Sequence, residues 1–134
     1  MRKLTGHKVN PANDVLDVEV LDEPGSGGAC HLYRISGFNT ATNPSDPFKA
    51  RHGEPATYST VLFQNGPIAE AGVNGVTQEV LLAILIDRLR SFDGGPYRSR
   101  ENSIALTKLE EAQLWLHKRT RDRMERGVEG THAK

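Results

Sequence analysis

Thr77-Gln78-Glu79-Val80-Leu81-Leu82-Ala83-Ile84-Leu85-Ile86-Asp87-Arg88-Leu89 marks the point where the hydrophobic period of this chain changes. Val80, Leu81, Ile84, Leu85 and Leu89 recur at i, i+1, i+4, i+5 spacing, and Leu82 and Ile86 widen the apolar arc, which predicts a helix. The Thr77 hydroxyl can cap its first turn, and Glu79 puts a negative charge where the helix dipole favours one. Asp93-Gly94-Gly95-Pro96 predicts its end: a glycine takes a left-handed turn and the proline forbids continuation. Ser99 is suited to cap a second helix running to Gly127. The two together predict an antiparallel helical hairpin domain over residues 77–134.

Upstream the character differs. Six of the seven prolines and most glycines precede residue 76, among short apolar–polar alternations. Val18 and Val20 alternate with Asp17 and Glu19; His31, Tyr33 and Ile35 oppose Leu32 and Arg34. Tyr58-Ser59-Thr60-Val61-Leu62-Phe63-Gln64 is β-branched and aromatic and ends in Asn65-Gly66, a hairpin signal that predicts a return strand over Ile68 to Val73. Pro24 to Gly28 reads as a turn, Asn39 to Glu54 as a loop, and residues 1–13 as disordered. The expectation is an α+β fold: a small N-terminal antiparallel sheet region over residues 1–76, then the hairpin.

Composition narrows the function classes. The 134 residues suit one small domain or a domain with a helical extension, and 37% hydrophobic content predicts a thin core that other copies would help to bury. Seventeen Lys+Arg balance seventeen Asp+Glu, so no whole-molecule field draws nucleic acid or an anionic membrane. The longest strongly apolar run, Val80 to Ile86, has seven residues against the roughly 20 that span a bilayer. The N-terminus lacks an apolar signal core. The single Cys30 cannot form an intrachain disulfide, and the five histidines lack metal-ligand spacing. A cytoplasmic protein with no cofactor and no structural metal is expected. No phosphate-loop glycine pattern or spaced nucleophile–base pair points to catalysis.

The second helix carries the sharpest pattern. Ala105, Leu109, Ala112, Leu116, Arg119 and Arg123 follow 4, 3, 4, 3, 4 steps, with Asn102 and Arg126 extending the stripe at either end. One stripe starts polar, becomes apolar, and turns to arginine where a core helix would keep leucine. Two guanidiniums at i, i+4 lie side by side, each a planar donor fork suited to phosphate. Residues 118–126 hold five basic and two acidic residues, a local surplus on a neutral chain. A solvated helix end, with cations offsetting the dipole, accounts for the same surplus.

Seventeen residues separate Asn102 from Arg119, roughly 25 Å at 1.5 Å per residue. No mononucleotide-sized ligand touches both within one chain. Phe92, at the end of the first helix, can lie near Asn102. A pocket joining Phe92 and Asn102 to Arg119 and Arg123 therefore needs the arginines of another copy, giving two equivalent sites per dimer. It would offer an aromatic face, an amide and a phosphate fork. Taken alone, Phe92 is also a natural plug for the hairpin core, and Trp115 reads as packing.

Val61-Leu62-Phe63-Gln64-Asn65-Gly66-Pro67-Ile68, Gly72 to Val76, Leu81 to Leu89, Arg100-Glu101-Asn102, Leu109 to Ala112, Trp115-Leu116, Arg119-Thr120, Arg123 and Gly127 to Thr131 resemble the Thoeris anti-defence 1 family of phage proteins. The resemblance spans roughly residues 58–132 and fades toward the N-terminus. It implies a non-enzymatic sponge that binds glycocyclic ADP-ribose without cleaving it and so blocks Thoeris immunity in the cytoplasm of an infected host. It implies homo-oligomers, dimers assembling into hexamers, and for some members cyclic di- and trinucleotides of CBASS immunity, bound through a hairpin shared with an anti-CBASS sponge family. The family's nucleotide-site residues fall on Phe92, Asn102, Arg119 and Arg123. Asp93 to Tyr97 looks like a variable part of the family, where a changed turn would alter pocket shape. From the residues alone, an oligomeric nucleic-acid-binding module or a phage structural protein using the basic C-terminal helix stays open.

Overall fold

A computed structural model of the chain describes every residue from Met1 to Lys134. The chain forms two compact units, Met1–Asn65 and Gly66–Lys134; the sequence places the change of character near residue 76.

The first unit is a four-stranded antiparallel sheet in the order β1 (Arg2–Leu4), β2 (Asp17–Val20), β3 (Leu32–Ser36), β4 (Tyr58–Leu62). The alternation read from the sequence is the alternation of the sheet. Val20, opposite Tyr33, is 1% exposed, and the Tyr33 ring meets Phe63 edge-on at 5.7 Å. Lys3, Glu19 and Arg34 face one another across three strands, with Arg34 3.1 Å from Glu19; opposite charges in such a row favour this register. Asp22 pins the start of β3: its carboxylate accepts the His31 amide at 2.9 Å and the Leu32 amide at 3.0 Å. The Leu32 amide above all holds this carboxyl below its ordinary value, against the opposing effect of partial burial.

Three expectations for this half are corrected. Residues 1–13 include regular structure: β1 pairs along β2, with Arg2 opposite Val20, and α1 (Pro11–Asp14) is capped by Asn10. The His7 Nε2 contacts the Leu16 carbonyl at 2.6 Å and the Lys8 ammonium donates to the Asp14 carbonyl at 2.6 Å. Such long-range backbone partners have no periodicity to betray them. The segment Asn39 to Glu54 is not all loop, because Asp46 caps α2 (Pro47–His52) and Gly53 closes it at φ +72. The return strand is absent. Ile68–Ala71 is the short helix α3, entered through Pro67. A proline cannot donate to a ladder and its fixed φ suits a helix start, while Ala and Glu disfavour strands; Ala71 and Glu70 both donate to the Pro67 carbonyl.

The helical hairpin is as expected: α4 (Gln78–Asp93) and α5 (Arg100–Glu125). The Thr77 hydroxyl accepts the Val80 amide at 3.3 Å and the Ser99 hydroxyl accepts the Asn102 amide at 3.1 Å. The stop of α4 is reached differently. Gly94 sits at φ −87 rather than in the left-handed region, and its amide and that of Gly95 fold back onto the Arg90 and Phe92 carbonyls, leaving Pro96 to end the helix. Register across the hairpin is held by a short Ser103–Asp93 hydrogen bond and by Arg90 to Glu110 at 2.8 Å.

Which residues face inward differs from the expected stripe. Ile86 and Leu106 are buried, flanked by half-buried Leu82, Leu89, Leu109, Gln113 and Leu116, while Ala105 and Ala112 are exposed. Part of the apolar arc of α4 is left uncovered, with Val80 48% and Ile84 59% exposed.

Candidate functional site

The hairpin sorts the four sequence-derived residues into two groups, one at each end. Phe92 and Asn102 neighbour the bonded pair Asp93–Ser103 at the turn, and both are half-buried. The Arg88 guanidinium lies 5.3 Å from the Phe92 ring centre, a cation–π distance. One ring side is thus already next to a cation. The Asn102 backbone amide is spent on the Ser99 cap, and its side-chain amide lies one residue from the cross-helix bond.

Arg119 and Arg123 occupy the last two turns of α5, roughly 25 Å and 32 Å of helical rise from Asn102. The chain does not bring the two groups together by itself. The arginines also differ from each other. Arg119 is exposed, whereas Lys118 beside it is paired with Asp122 at 2.6 Å.

Arg123 is buried, with 7% exposure. After Gly127, in the left-handed region at φ +70, the C-terminal segment turns back over the helix end. Its Nε donates to Glu129 at 3.0 Å, and its two terminal nitrogens donate to the carbonyls of Ala133 at 2.5 Å, Val128 at 2.9 Å and Thr131 at 3.2 Å. A charged fork surrounded this way satisfies the rule that buried cations are paired and hydrogen-bonded. The segment is anchored again where the Ala69 amide of α3 donates to the Gly130 carbonyl at 3.0 Å, and His132 lies 3.4 Å from Glu70.

The sequence reading missed Glu129 and its neighbours as partners of Arg123. Heptad stepping follows one helix and stops with it, so a strap formed after Gly127 leaves no mark on the stripe. Trp115, expected to pack, is 71% exposed, and Leu114 beside it 62%; on a hydrophobic scale both are uncovered positions. A separate groove of about 560 Å³ opens on the first unit, lined in part by Arg2, Asp22, Cys30 and Tyr33, with no grouping of His, Cys, Asp and Glu that could hold a metal ion. No helix is long and apolar enough to cross a membrane.

A sheet unit followed by a capped antiparallel hairpin with cations on its far turns defines a hairpin-domain protein of the α+β class. Residues 57–121 match the family model described as Acb2/Tad1, hairpin domain, so over that span the chain resembles this family. It is also similar to the protein named Thoeris anti-defense 1 of Bacillus phage SBSphiJ7, with 55% identity over 76 residues, 57% of this chain and 54% of the relative. The chain thus spans about half the length of the curated relative it matches. Phe92, Asn102 and Arg119 fall inside the matched residues; Arg123 and the C-terminal segment lie beyond them.

Proposed function

We propose that this chain is a phage anti-defence protein that sequesters glycocyclic ADP-ribose, the Thoeris immune signal, in the host cytoplasm without cleaving it. The observation that carries this reading is the hairpin-domain match together with 55% identity to a protein named for Thoeris anti-defence. The hairpin supplies what such a ligand requires: the Phe92 ring for a base, the Asn102 amide for a base or ribose edge, and the arginine end of α5 for phosphates.

Because those groups stand at opposite ends of one hairpin, the complete pocket forms between chains in a homo-oligomer, a dimer or three dimers in a hexamer. The uncovered Val80, Ile84, Leu114 and Trp115 favour such assembly, since exposed apolar side chains on neighbouring turns gain by burial against another copy. Cyclic di- and trinucleotides of CBASS immunity form a second ligand class within the same proposal, at pockets apart from this one. Membranes and nucleic acid are not partners in this reading.

The test mixes purified protein with glycocyclic ADP-ribose, removes free ligand, heat-denatures the protein and separates what is released by chromatography. Intact ligand in near-stoichiometric amount is expected. Recovery of a cleaved product would make the protein an enzyme. No captured ligand, repeated with cyclic di- and trinucleotides, would leave the nucleic-acid or structural reading. Binding of single-stranded nucleic acid that falls steeply with salt would favour the former.

A further inference from the structure

We infer that the segment Val128–Ala133 is an internal stand-in for an anion at Arg123, and that Glu129 sets how strongly a phosphate ligand must compete for that fork. This deepens the proposed function and rests on it.

The geometry is that of an occupied anion site. A guanidinium recognises phosphate by presenting parallel N–H donors to several oxygens. Here the Arg123 donors already meet four oxygens: the Glu129 carboxylate and the carbonyls of Val128, Thr131 and Ala133. Only one of the four belongs to a charged group. Removing that charge leaves three neutral acceptors and lowers the hold of the strap on the fork. Arg119, one turn back and exposed, carries no such strap, so in the free chain the two arginines are unequal. Arg119 is open to the first phosphate contact, and Arg123 joins only after Val128–Ala133 is released. The apparent affinity is then the intrinsic affinity reduced by the fraction of molecules with the strap open.

The strap is not a loose end. The Ala69–Gly130 hydrogen bond ties it to α3, and Thr131 donates its amide to the Val128 carbonyl at 3.1 Å. Its opening therefore breaks identifiable backbone hydrogen bonds, which amide exchange reads directly.

The experiment titrates glycocyclic ADP-ribose into the full chain, into Glu129→Gln and into Glu125→Gln, and follows amide exchange of Ala69, the donor to Gly130, and of residues 128–133 with and without ligand. Glu125 is the control: it ends α5, its substitution also removes one negative charge, and it is not among the partners of the Arg123 fork. Glu129→Gln should bind about three- to tenfold more tightly, Glu125→Gln less than about twofold more tightly, and the 128–133 amides should exchange faster in the wild-type complex than in the free chain. A gain in Glu129→Gln alone supports the strap, also where the wild type binds too weakly to measure. Equal gains in both variants, an unchanged or weaker Glu129→Gln, or slower exchange of the segment on binding would overturn the strap while the proposed function stood. No binding by any of the three proteins would overturn both.

Discussion

Arg119 and Arg123 share a helix face in the sequence pattern but have opposite surroundings. Arg119→Ala, which removes an exposed and unstrapped fork, should weaken glycocyclic ADP-ribose binding by about 2–5 kcal/mol where the contact is buried between chains, with the thermal midpoint nearly unchanged. Titration calorimetry beside thermal unfolding checks both halves of that statement. Arg123→Ala should behave differently. It strips the buried hydrogen bonds that hold Val128–Ala133, and should cost about 2–3 kcal/mol of stability and make the C-terminal segment sensitive to protease before any ligand is added. Gly37 gives a sharper case of backbone constraint. At φ +92, an added Cβ would lie 1.9 Å from the Val15 carbonyl oxygen, so Gly37→Ala should unfold at markedly lower denaturant than wild type, by more than the roughly 1–3 kcal/mol of a strained φ alone. For Asp22, hydrogen bonds from the Leu32 and His31 amides lower the folded carboxyl below 3.8. A lowered folded value means stability that is full above the unfolded value and is lost as pH falls through the folded one. Asp22→Asn should therefore flatten the acid limb of stability below about pH 4 and leave neutral pH dependence alone.

At the scale of elements, the caps of the hairpin are the local bonds with the clearest cost. Thr77→Ala and Ser99→Ala should each destabilise by about 1 kcal/mol, while breaking the exposed Arg90–Glu110 pair should cost less than about 1 kcal/mol; chemical denaturation of the single variants separates the two classes. These caps could be read from the sequence because capping is local: the hydroxyl and the amide it serves lie three residues apart. The strands β2, β3 and β4 were readable for a similar reason, since alternation fixes a face without knowledge of the partner. What the sequence concealed depended on distant or competing partners. Residues 2–4 carry no alternation long enough to announce β1, which exists because β2 offers an edge. Asn65-Gly66 is a sound hairpin signal, but Pro67 removes the donor that the return strand would need, and Ile68–Ala71 takes a helical turn instead. In the site, Phe92 and Asn102 flank the bonded residues Asp93 and Ser103 beside the turn; the occupancy of Arg123 was hidden because its partners lie past the end of the helix.

For the molecule as a whole, the sparse core matters most. Only Val20, Ile86 and Leu106 are buried hydrophobics, while Val80, Ile84, Leu114 and Trp115 are open. A chain with so few wholly buried apolar side chains has little stability in reserve as a single copy. If copies cover those faces, stability follows mass action, so the thermal midpoint should rise with protein concentration. Trp115→Glu should lower both the sedimentation-derived mass and that concentration dependence. A midpoint independent of concentration, with a monomer mass for wild type, would overturn the proposed pocket between chains. The length of α5 has one more effect. At 1.5 Å per residue the 26-residue helix is about 39 Å long and the 16-residue α4 about 24 Å, and the Ser103–Asp93 bond clamps them together near the turn. The hairpin is therefore a lever with its fulcrum at Gly94–Ser99 and its cations on the long arm. A pivot of about 5° there would carry Arg119 some 2 Å sideways over the roughly 25 Å separating it from Asn102, so under the proposed function substitutions in the turn should retune phosphate recognition without touching the ligand.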